Sequence, residues 1–190
     1  IRHARTHEQK HIERRRTKPN QDPLERALLF EDTETIGISL VKYTYYTSHK
    51  LMTINETQDE IIEEFTALDD WMDRYQLLID LGEEQPALPE ADKQDQNLID
   101  GCQSRVWLVC DQKDGILTFR AESDALIVKG IAALLVKVLS GHTAQEILNA
   151  DLYFIREIGL NEHLSPTRSN GLLAMVKQMR MYALAFSVKQ

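Results

Sequence analysis

"RVWLVCDQKDGILTFRAESDALIVKGIAALLVKVLSG", residues 105–141, decides the fold class. Val106, Trp107 and Val109 are β-branched or aromatic, as strands favour. Asp114-Gly115 is a two-residue turn signal, and "ILTFRAE" (116–122) resumes an alternating pattern, so the first half reads as a β-hairpin. The second half, "ALIVKGIAALLVKVLS" (125–140), is almost wholly apolar. It reads as a buried helix capped by Ser123 or Asp124 and ended by Gly141. Gly130 lies inside it, where glycine costs about 1 kcal/mol against alanine. That cost implies close packing, here expected against the sheet.

Upstream, Thr57-x-x-Glu60 fits a capping box, followed by Ile61, Phe65 and Leu68 at helical spacing. Asp69 or Asp70 can cap a second helix through "WMDRYQLLID", with Gly82 placed to end it. Pro86 and Pro89 open a polar loop that runs through "EADKQDQN" (90–97). Downstream, Thr143-x-x-Glu146 is another capping box, and a helical piece near 151–158 stops at Gly159. Ser165-Pro166 then starts a last helix, expected to carry Leu172, Leu173, Val176, Met179 and Leu184 inward. Helices, a small antiparallel sheet and further helices make an α+β domain.

The bulk numbers narrow the function. The chain has 190 residues, enough for one domain with a real core. A net charge of -8 argues against duplex nucleic acid as the main partner. No apolar run reaches the roughly 18–20 residues of a membrane span. No apolar h-region follows a basic start, so no secretory signal is read and the expected localisation is cytoplasmic. Residues 1–51 differ from the rest: they carry 10 Lys+Arg against 7 Asp+Glu and four of the six histidines. They read as an extraneous or disordered N-terminal extension, with Met52 as the start of a domain spanning 52–190.

Two cysteines, Cys102 and Cys110, are too few for a disulfide scaffold or a self-contained zinc site. Eight mostly extended residues would hold them on the order of 20 Å apart, beyond disulfide reach. Cys110 falls within a strand pattern beside Val106 and Leu108 and reads as a small core hydrophobe. Cys102 follows the turn pair Asp100-Gly101 and so lies on a loop, where a thiol is free to react. His142 and His163 could complete a metal site, but no C-x-x-C or H-x-x-x-H spacing supports one. His163, in "EHLSPTRSNG", is either a polar loop residue or a base for Cys102, and spacing alone leaves a Cys–His hydrolase or peroxidase open. Arg105 and Arg168 are cations able to favour a thiolate; each is otherwise a solvated or ion-paired arginine. Arg168 sits in the first turn of a helix, where the dipole disfavours a cation.

Several of these stretches together resemble the SufE family of cysteine desulfuration proteins: "DWMDRYQLLIDLG" (70–82), "NLIDGCQSRVW" (97–107), "ESDALIVKGIAALL" (122–135) and "LSPTRSNGLLAM" (164–175). The likeness runs over roughly residues 55–187, and residues 1–51 have no counterpart in it. It implies an α+β fold similar to IscU-type scaffolds, a small antiparallel sheet flanked by helices. It implies a sulfur acceptor and not an independent enzyme, with no resident cofactor or metal. Cys102 would take persulfide sulfur from a pyridoxal-phosphate cysteine desulfurase of SufS type and stimulate it. The sulfur would pass to an Fe–S scaffold complex of SufBCD type. Arg168 would belong to the surface near the cysteine, in docking or thiolate stabilisation, while Cys110 carries no implied role. The alternatives are a CsdE-type paralogue serving another desulfurase and an Fe–S- or zinc-binding scaffold. Monomer and homodimer are both compatible with these motifs.

Overall fold

In the computed structural model, which describes residues 52–188, the chain opens with α1 (Ile54–Thr66) and α2 (Trp71–Glu84). Thr53 caps α1: its Oγ1 accepts from Glu56 N, and the Glu56 carboxylate accepts from Thr53 N. The capping box expected at Thr57 and Glu60 is therefore one turn too late. Both frames read T-x-x-E, and the earlier one adds a turn that buries Ile54. Thr57 lies inside the helix, its hydroxyl donating to Thr53 O. Asp70 caps α2 through Met72 N. Gly82 does not end α2 but lies within it.

Strands β1 (Val106–Lys113) and β2 (Ile116–Ser123) form the hairpin, paired antiparallel from Val106↔Ser123 to Lys113↔Ile116. Asp114 (φ 52°) and Gly115 (φ 80°) both adopt the left-handed backbone that a two-residue hairpin turn demands. The helix α3 (Leu126–Leu139) follows and is buried along nearly its whole length. Gly141 (φ 84°) turns the chain into β3 (His142–Thr143), which adds to β2 and gives the sheet order β1-β2-β3. The Thr143–Glu146 capping box starts α4 (Ala144–Asn149) as expected. Two single turns, α5 (Phe154–Glu157) and α6 (Leu160–His163), are separated by Gly159 (φ 77°). The 22-residue α7 (Pro166–Ser187) closes the domain with Pro166 at its start.

The core forms where α3 lies between α2 and the sheet, with Leu78, Leu108, Leu117, Phe119, Ile131, Leu134 and Leu135 all buried. Gly130 serves the α2 crossing, not the sheet. A methyl group built there would lie 2.0 Å from Leu78 O, and one on Gly82 would lie 2.9 Å from Gly130 N. The two glycines let the helix backbones touch. Neither Ser123 nor Asp124 is the N-cap of α3, which is Ala125. Ser123 Oγ accepts from Ala125 N, and Asp124 is engaged elsewhere. On α7 the buried set is Gly171, Leu172, Met175, Met179 and Ala183. Leu173 (65% exposed) and Leu184 (55%) face outward, against expectation, and Val176 is half-buried. At about 100° per residue, both leucines lie 100° or more from Leu172 around the helix.

Candidate functional site

The site grows from the segment that enters β1. On its first side, Ile99 is buried and its N–H donates to Val106 O at 2.8 Å, while Leu98 bridges to Trp107. On its second side, Arg105 N donates to Asp124 Oδ1 at 3.0 Å, and Asp124 N returns a bond to Arg105 O at 3.3 Å. Residues 100–104 form a short loop held at both ends. Gly101 has φ 87°, a conformation other residues rarely adopt, and nothing crowds it within 4 Å. Among the described residues, the loop's own interior makes one hydrogen bond: Cys102 Sγ–H to Gly171 O, 3.7 Å away on α7.

That contact defines the thiol's state. Cys102 is free and half-buried, packed against the edge of the core. Burial raises its pKa above the ordinary thiol value, because a thiolate there would lose hydration. In this position the sulfur is half-sheltered and burial disfavours the thiolate. Movement of the loop outward or a cation brought alongside would favour it.

Arg168 lies three residues before Gly171 on α7, on the same side of the helix and about 4.5 Å along its axis. It is exposed, and among the described residues it has neither an ion-pair nor a hydrogen-bond partner. Ser165 precedes the helix as expected but caps no backbone N–H; its hydroxyl meets that of Thr167 at 3.3 Å. His163 is not paired with Cys102. Its ring stacks on Trp71, centroids 3.8 Å apart and planes 13° apart, and Nδ1 lies 3.1 Å from Gly159 O. The Arg74 guanidinium lies 5.3 Å from the centroid of the Trp71 ring. The imidazole thus belongs to the corner ahead of α7.

Cys110 is free and half-buried in β1 opposite Phe119. Burial, then the Asp111 carboxylate, push its thiol up to about 12, which makes it inert near neutrality. His142 is buried, and that burial lowers its pKa despite the nearby Glu146. Among the described residues no three His, Cys, Asp or Glu side chains gather as a metal site. Arg105 lines a separate cleft of about 470 Å³ with Glu90, Lys93, Trp107, Glu122, Ser123 and Asp124. Its guanidinium lies 6.0 Å from the centroid of the Trp107 ring.

The family model described as an Fe-S metabolism associated domain, SufE, matches residues 59–183, more than half of the chain. The chain belongs to the SufE family. An uncharacterized SufE-like protein of Rhizobium meliloti is 44% identical over 130 residues, covering 66% of this chain and 93% of the relative. Another, from Rhizobium etli, is 45% identical over 127 residues, covering 64% and 86%. A hypothetical protein from Thermus thermophilus, solved in solution, shares the fold with a TM-score of 0.59 at 23% identity. The alignment spans 70% of this chain and 96% of that one. For this SufE chain, sequence reasoning named Cys102 and Arg168 as candidates and did not name Gly171 or Asp124 as neighbours of the Cys102 loop. Gly171 carried a usable signal, a glycine inside a helix with no turn to make. Asp124 carried a misleading one, since it stands where a helix cap belongs.

Proposed function

We propose that this chain is a persulfide carrier, itself not an enzyme. It takes sulfur from a pyridoxal-phosphate cysteine desulfurase of SufS type onto Cys102, stimulates that desulfurase, and passes the sulfur on to an Fe–S assembly complex of SufBCD type. The observation that carries this reading is the placement of Cys102 on a short loop clamped at both ends, its sulfur half-sheltered against Gly171. Membership of the SufE family supports it.

In the transfer step the Cys102 thiolate attacks the outer sulfur of the desulfurase persulfide. A new S–S bond forms on Cys102, the old one breaks, and the electron pair leaves on the desulfurase cysteine. Sulfur is neither oxidised nor reduced overall. Arg168, exposed and one turn from Gly171, would meet the partner or stabilise the thiolate. A scaffold reading lacks a gathered ligand set among the described residues. The hydrolase reading lacks a Cys102–His163 pair, since each side chain has another partner.

The test is desulfurase turnover on cysteine with and without this protein, followed by intact mass of the recovered chain. Stimulated turnover and added sulfur, both lost in Cys102→Ser, are the expected outcome. Sulfur on Cys110 with Cys102 unmodified would reject the assignment.

A further inference from the structure

We infer that Gly171 is a sulfur subsite: its missing side chain leaves the space that the outer sulfur of a Cys102 persulfide occupies. The inference rests on the sulfur-carrying role proposed above and names the residue that makes shelter selective for the loaded state.

Gly171 is buried inside α7, where glycine is disfavoured relative to alanine. The usual reasons for a helical glycine are absent. Its φ is not positive, unlike Gly101, Gly115, Gly141 and Gly159. No backbone presses on it, unlike Gly82 and Gly130. Among the described residues, the one heavy atom within 4 Å of the position a methyl carbon would take is Cys102 Sγ, at 3.5 Å. Apart from the helix's own backbone, the open side of the glycine therefore faces the thiol.

A methyl group at 3.5 Å is in ordinary van der Waals contact and tolerates the unloaded thiol. A persulfide adds a second sulfur about 2.05 Å from the first. With glycine at 171 that sulfur lies against bare helix backbone. With alanine the same space holds the methyl group, and the outer sulfur turns toward solvent. The subsite thus accepts one chemical class, a sulfane sulfur carried on Cys102.

The test needs no desulfurase. In a Cys110→Ser background, Cys102 is loaded with sodium tetrasulfide. The thiolate attacks one sulfur of the tetrasulfide, one S–S bond forms on Cys102, and a trisulfide dianion leaves. Loading is read as the mass of one added sulfur, with Cys102→Ser as the blank. Cyanide then removes the outer sulfur: its carbon attacks, the S–S bond breaks, the electron pair returns to Cys102, and thiocyanate is counted by its ferric colour. Gly171→Ala is expected to release thiocyanate at least about fivefold faster than Gly171, or to resist loading altogether. Its unloaded thiol should react with iodoacetamide within about twofold of the parent, and its melting temperature should not fall. Gly171→Val should be at least as labile; should it fail to fold, Gly171→Ala decides. Equal or slower cyanolysis in Gly171→Ala overturns the subsite. So does an iodoacetamide rate that rises by the same factor as cyanolysis, since glycine would then only hold the loop. Loss of desulfurase stimulation by the parent protein would count against the carrier role and leave this result standing.

Discussion

At the scale of single residues, burial and not charge sets the resting state of Cys102. Its raised pKa means that its reaction with iodoacetamide at pH 7 should be slower than that of free cysteine. The rate should climb with pH beyond the point where free cysteine levels off. A rate equal to free cysteine would show the sulfur unsheltered. Arg168→Ala separates two roles for the exposed guanidinium. If it docks the desulfurase, half-maximal stimulation needs more protein while the plateau holds; if it favours the thiolate, alkylation slows with no partner present. In either case stability should change by less than about 0.5 kcal/mol, as for an exposed side chain without partners. Glu122 is the opposite kind of residue. Burial alone would raise its pKa, but the hydrogen bonds from Lys129 and Leu88 N, with the Lys129 charge, lower it. Its folded pKa is below its unfolded one, so the stability it contributes is present above the unfolded value and lost as pH falls through the folded one. Lys129→Met, which leaves that carboxylate unpaired, should cost about 2 kcal/mol at pH 7 by urea denaturation. The difference from the parent protein should shrink on acidification through the carboxylate range.

At the scale of elements, the crossing of α2 and α3 is the most exacting contact. Gly130→Ala forces a methyl group to within 2.0 Å of Leu78 O, so the helices must separate. The expected cost is about 3 kcal/mol or more, read as a lower denaturation midpoint; a loss under 1 kcal/mol would mean the helices are not held so closely. The hairpin and its turn were legible from Asp114-Gly115 and the alternation on either side, because those signals are local. So was α3, from its unbroken apolar run. The partner of Gly130 was not legible, since a glycine marks close approach without naming what approaches. The inward face of α7 was half legible. Leu172 and Met179 keep the helical period, but Leu173 and Leu184 are apolar residues on the outer side, and side-chain type alone does not reveal which stripe faces the core. Thr53 and Thr57 present the same four-residue frame, and only packing of Ile54 chooses between them. At the candidate site, the turn pair before Cys102 marked a loop cysteine from local sequence alone, whereas Asp124 and Gly171 meet that loop only through folding that brings residues 19 and 69 positions apart together.

At the scale of the whole molecule, the described helices and a three-stranded sheet together support a five-residue loop. No helix among the described residues is long and apolar enough to cross a membrane. The composition changes near Met52, and the matched family region begins only at residue 59. A chain lacking residues 1–51 is therefore expected to melt within about 5 °C of the full one and to accept sulfur equally, since each kcal/mol shifts a domain of this size by about 2–4 °C. The sharpest measurement is the intact and peptide mass of this protein after incubation with a cysteine desulfurase of SufS type and cysteine. One or more sulfur atoms on the peptide carrying Cys102, removable by reductant and absent from Cys102→Ser, is the expected result. An unmodified Cys102 under conditions where the desulfurase itself carries a persulfide would contradict the sulfur-carrier function.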